Sequence, residues 1–103
     1  MAPPSRKQLK KAMLAILLSK SDAEKKEKSR KFTRMLFDLV ASKMPEKDEE
    51  EVYMKQMEAL GLFTNYIFRK SREKSQSGKN ARSIITEISE ESDELFEEIE
   101  SSI

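Results

Sequence analysis

Residues 32–45, FTRMLFDLVASKMP, decide the fold: Phe32, Met35, Leu36, Leu39 and Val40 recur at i, i+3, i+4, i+7 and i+8. That spacing draws one apolar stripe along an α-helix and has no counterpart in the two-residue period of a strand. Pro45 closes the segment, because it lacks an N–H and disfavours helical backbone at Met44 before it. Upstream, Ser21-x-x-Glu24 reads as a capping box, so a helix is expected over 21–44. Its first two turns hold Lys25, Lys26, Lys28, Arg30 and Lys31 and no large apolar side chain. They are expected to project beyond the core.

Working outward, Ser5 follows Pro3 and Pro4, and Leu9, Ala12, Met13, Ile16 and Leu17 mark a helix over about 5–19. Leu14 and Leu18 carry apolar character onto its other side, which predicts a central helix or a seam with a second molecule. On the C-terminal side, Pro45 suits a first helical turn, and Glu46, Asp48, Glu49, Glu50 and Glu51 would face the positive end of the helix dipole. A helix over 46–73 follows, with Tyr53, Met57, Leu60, Phe63 and Ile67 as its inward stripe. Val52, Met54, Leu62, Tyr66 and Phe68 widen that stripe, and Gly61 marks either close helix packing, the preferred reading, or a bend.

The stretch SREKSQSGKNA, 71–81, has no apolar residue larger than Ala and reads as a solvated hinge. Beyond it, Ile85, Ile88, Ser92, Leu95 and Ile99 form a narrow seam, widened by Ile84 and Phe96, on a helix over about 81–101. The expected architecture is all-α: a compact three-helix core (5–19, 21–44, 46–73) plus a C-terminal acidic amphipathic helix. In domain terms, 1–74 is the core, 75–81 the hinge, and 82–103 the acidic helix, which belongs to the same domain or docks on a partner.

Composition agrees with helices and narrows the chemistry. The 103 residues are 37% hydrophobic and 38% charged, with 2 Gly and 3 Pro, and Cys, His and Trp are absent. Without Cys there is no disulfide framework and no thiolate metal site. Without His the usual general base and the commonest metal ligand are gone. The carboxylates stand in runs such as Glu49-Glu50-Glu51 rather than as a separated catalytic pair. A non-enzymatic protein with no cofactor and no metal is the expectation. The longest apolar run, Ala12 to Leu18, is far short of the roughly 20 residues a membrane span needs. Its flank, Ser19-Lys20-Ser21-Asp22, lacks a small-x-small cleavage pattern, so an intracellular protein, cytoplasmic or nuclear, is expected.

The formal net charge of +1 conceals four blocks. Residues 1–44 carry 12 Lys and Arg against 4 Asp and Glu, and 45–60 carry 2 against 6. Residues 61–82 carry 6 against 1, and 83–103 carry none against 8. Sorted charge of this kind generates local fields that select partners. Lys7, Lys10, Lys11, Lys25, Lys28, Arg30, Lys31 and Arg34 are the candidates for contact with a phosphate backbone, with Ser29, Arg30, Thr33 and Arg34 placed to reach base edges. A solvated face explains the same lysines. Cations at a helix C-terminus explain most of a second cluster, Arg69, Lys70, Arg72, Lys74, Lys79 and Arg82.

The acidic helix has an apolar seam that plain solvation would not need. It would therefore dock on the chain's own basic surface, competing there with nucleic acid, or in a groove of another protein. Leu14, Leu18, Ile85, Ile88, Leu95, Phe96 and Ile99 are the candidate partner-binding residues. Two functions follow. One is a regulatory protein that binds nucleic acid through its basic helical face, with the acidic helix modulating binding or recruiting a partner. The other is a helical adaptor that pairs with a second copy or with another helical protein.

Overall fold

The computed structural model describes residues 2–77 and 80–103. Four α-helices follow one another: α1 (Arg6–Leu17), α2 (Asp22–Ser42), α3 (Glu49–Ser77) and α4 (Ala81–Ser101). Helix α3 runs past the end expected for it. The hinge reading of Gly78 and Lys79 lies outside the described residues.

Each helix start is closed by a side-chain acceptor where the sequence offers one. Ser5 Oγ accepts from the Gln8 N–H at 3.2 Å while Gln8 Oε1 accepts from the Ser5 N–H at 2.8 Å, a complete capping box. At α2, Ser21 Oγ accepts from the Glu24 N–H, but the Glu24 carboxylate turns back to the Lys20 N–H, one residue earlier than the box expects. Asn80 Oδ1 caps α4 through the Ser83 N–H. Pro45 does not open α3. Asp48 does, its carboxylate accepting from the Glu51 N–H at 2.9 Å, because a charged acceptor beside three further acids suits the helix dipole better than a proline alone.

The helices form a ring in which α1 packs on α2, α2 on α3, α3 on α4 and α4 on α1. Helices α1 and α3 also touch across the middle, whereas α2 and α4 lie on opposite edges without packing on each other. One core joins all four. Leu9, Met13, Ile16 and Leu17 of α1 meet Phe32, Leu36, Leu39 and Val40 of α2, Ala59, Phe63 and Tyr66 of α3, and Ile84, Ile88, Phe96 and Ile99 of α4. At its centre Phe63 lies edge-on to Phe32, ring centroids 5.5 Å apart, and 4.9 Å from Phe96. The fourth helix is therefore a wall of the core rather than an appendage to three others.

The phase of α3 differs from the expected stripe. Tyr53 and Met57 point to solvent, and Ala59 and Tyr66 turn inward with Phe63. Polar contacts accompany this rotation: Gln56 Nε2 donates to the Phe37 carbonyl at 3.1 Å, and Lys70 meets the carboxylates of α4. Gly61 is not a close-packing site either. It is exposed, and a Cβ there would meet nothing within 4 Å.

Candidate functional site

The polar first half of α2 leaves a gap. Where α2 passes α3, Asp22, Lys25, Lys26 and Ser29 offer no apolar surface to cover Leu60, Ile67 and Phe68. The result is an open groove of about 1350 Å³ between the two helices. Ile16, Phe32, Leu60, Ile67 and Phe68 supply its apolar lining, and Phe68 remains 65% exposed. Lys25, Lys26, Arg30, Arg34 and Arg72 line it as cations against one acid, Asp22. The Arg72 guanidinium lies 5.8 Å from the Phe68 ring centroid, so charge and aromatic surface are presented together.

The eight candidate phosphate contacts do not form one surface. Lys11, Lys28 and Lys31 share a smaller furrow of about 410 Å³ between α1 and α2, with Lys7 one turn before Lys11. Lys25, Arg30 and Arg34 belong to the α2–α3 groove instead. Lys10 is engaged within the fold: its ammonium lies 2.7 Å from Asp93 of α4. Antiparallel packing of α4 on α1 brings that carboxylate to it, a pairing that one-dimensional charge blocks do not reveal.

The partner-binding candidates divide as well. Ile88, Phe96 and Ile99 are buried in the chain's own core, and Leu14 and Leu95 pack partly against it. Only Leu18 and Ile85 stay exposed, since the inward residue of α4's first turn is Ile84. Residues outside the expected set line the groove, namely Lys26, Leu60, Ile67, Phe68 and Arg72. Their signal was a mismatch: α3 is apolar around more of its circumference than one inward face can bury, opposite a helix half that carries only polar side chains.

Charge holds α4 in place at both ends. Near its C-terminus, Arg6 Nη2 donates to Glu100 at 2.6 Å, with Lys43 3.6 Å from the same carboxylate and Asp93 3.7 Å from Arg6. The hydrogen bond from Arg6 holds the Glu100 carboxyl below its ordinary range, and the Arg6 guanidinium is raised by the same bond. At the other end the ammonium of Lys70, whose side chain is 10% exposed, lies 2.6 Å from Glu87, 2.8 Å from Glu91 and 3.0 Å from Glu73. Burial alone would lower the pKa of that ammonium, but its bonds to Glu87, Glu91 and Glu73 outweigh burial and raise it. Tyr66 lies beneath, its ring centroid 5.7 Å from Lys70 Nζ, and burial pushes its phenol upward. Lys74 donates to the Leu17 carbonyl at 2.8 Å, placing a cation at the C-terminus of α1 rather than serving only α3.

These ion pairs involve α1, α3 and the end of α2. None reaches Lys25, Lys26, Lys28, Arg30, Lys31 or Arg34, because α4 sits on the far edge of the ring. Among the described residues no helix is long and apolar enough to cross a membrane. Comparison with protein-family models, curated proteins and solved structures found no match to this chain.

Proposed function

We propose that this chain is a non-enzymatic helical adaptor, and that it works by taking an amphipathic helix of another protein into the α2–α3 groove. The carrying observation is the groove itself: the exposed Phe68 and the half-buried Leu60 and Ile67 form an apolar strip that no helix among the described residues covers completely. Helix-in-groove recognition needs a trough a few turns long, with apolar anchor sites along its floor. Asp22 to Arg34 on α2 and Leu60 to Arg72 on α3 each extend about 18 Å at the helical rise, enough for three turns of a visiting helix.

A test is a titration of the isotope-labelled chain with amphipathic helical peptides, followed by amide chemical shifts. Saturable shifts centred on residues 60–72 support the reading. An absence of saturable shifts there with every peptide would overturn it.

Nucleic acid remains a second reading because Lys11, Lys28 and Lys31 line one furrow and, among the described residues, form no ion pair. Under it, labelled duplex DNA or RNA should bind with steep salt dependence and lose affinity in the Lys28→Glu, Lys31→Glu double variant. The groove cations Arg30 and Arg34 separate the two readings. Their reversal should disturb peptide binding, while the furrow lysines carry any phosphate contact.

A further inference from the structure

Resting on the groove reading, we infer that its occupant is an acidic amphipathic helix, one whose apolar stripe is flanked by Glu or Asp, and that Lys26, Arg30 and Arg34 select it. Charge complementarity is the first argument: five cations and a single acid line an apolar floor. A helix with a basic polar face would set like charges against the rim, and a neutral one would leave Lys26, Arg30 and Arg34 unanswered.

The second argument is internal to the fold, since the chain already holds one helix of this description. Helix α4 seats Ile84, Ile88, Phe96 and Ile99 on the apolar surface of α1 and α3. Its carboxylates are gripped from the sides by Arg6, Lys10 and Lys70. An aromatic ring lies beside each gripping end, with the Arg6 guanidinium 5.5 Å from the Phe96 centroid and Lys70 above Tyr66. The α2–α3 groove repeats that arrangement. It offers Phe32, Leu60, Ile67 and Phe68 as floor, arginines and lysines as sides, and Arg72 over Phe68. On one edge of the bundle the acidic helix is supplied by the chain, and on the other the same chemistry is open to solvent.

The experiment uses three fluorescein-labelled peptides of about 18 residues, with Leu and Phe at i, i+3, i+4, i+7 and i+11 and with Glu, Gln or Lys on the polar face. Each is titrated with the full chain at physiological salt, and phosphatidylcholine vesicles containing phosphatidylserine are titrated in parallel. The Glu peptide should bind about tenfold or more tightly than the Gln peptide, and the Lys peptide most weakly. Phe68→Ser should weaken the Glu peptide by about tenfold. The Arg30→Glu, Arg34→Glu double variant should invert the order in favour of the Lys peptide. These positions are exposed, so the fold survives, and circular dichroism checks it.

Equal or tighter binding of the Gln or Lys peptide overturns the acidic occupant while leaving groove docking intact. No saturable binding of any peptide removes both. Vesicle binding that Phe68→Ser abolishes, without peptide selectivity, assigns the groove to anionic lipid and overturns the inference. Self-association abolished by the same substitution assigns it to a second copy and does the same.

Discussion

The ring of Phe96 lies 4.9 Å from that of Phe63, tilted by 50°, which places the C-terminal helix against the innermost aromatic residue of α3. Phe96 is 1% exposed and Phe63 is fully covered, so this contact is as deep as any in the molecule. An acidic segment that looks in sequence like an add-on is thus packed into the same core as the residues before it.

Phe96→Ala should cost about 3–5 kcal/mol, the range for removing a buried aromatic side chain. Urea denaturation should show one transition shifted to lower midpoint. Retention of wild-type stability, or a separate early transition confined to α4, would contradict a shared core.

Lys70→Met keeps the length of the side chain but leaves Glu87 and Glu91 facing each other without their common cation. The carboxylates are about one-third exposed, so solvent moderates the penalty, and a loss of about 1–3 kcal/mol is expected. Combining Lys70→Met with Glu87→Gln and Glu91→Gln should recover part of that loss. An additive result would mean that the three groups do not act together.

Stability should fall with acid through Glu100. Its carboxyl is held below the ordinary 4.5 by Arg6. A depressed folded-state pKa contributes stability that is present in full above the unfolded value and is lost as pH falls through the folded one. Urea midpoints measured from pH 6 to pH 3 should therefore drop less steeply for Glu100→Gln than for the parent chain. Parallel curves would rule the residue out as a source of the acid sensitivity.

Gly61→Ala should stabilise the chain by up to about 1 kcal/mol. The position is exposed, it lies within α3, and a Cβ there meets open space. Thermal unfolding reads the change, and a lowered melting temperature would show that Gly61 answers to a constraint other than helix propensity.

Helix positions were legible because each helix carries its own local instructions. The stripe from Phe32 to Val40 and the caps at Ser5 and Ser21 are patterns within a few residues, and the structure uses them. Asn80, read only as part of the hinge, turns out to cap α4. The rotation of α3 was not legible. Tyr53 and Met57 are as apolar as Ala59 and Tyr66, and the observed phase is the one in which Gln56 reaches the Phe37 carbonyl and Lys70 reaches α4. Hydropathy counts such polar residues as surface and so points the helix the wrong way. The ion pair of Lys10 was hidden for a related reason. Its role depends on Asp93, 83 positions away in the chain, and pairing at that separation is a property of topology.

The placement of α2 and α4 on opposite edges of the ring has a consequence for how the whole molecule meets a field. Glu90, Glu94, Glu97 and Glu98 are exposed on one edge, and Lys25, Lys26, Arg30, Lys31 and Arg34 on the other. With a net charge of only +1, the chain is close to electrically neutral but strongly dipolar. Near neutral pH at low ionic strength it should be retained by anion and cation exchangers alike, each gripping a different edge, and a charged surface should orient the protein before any specific contact forms.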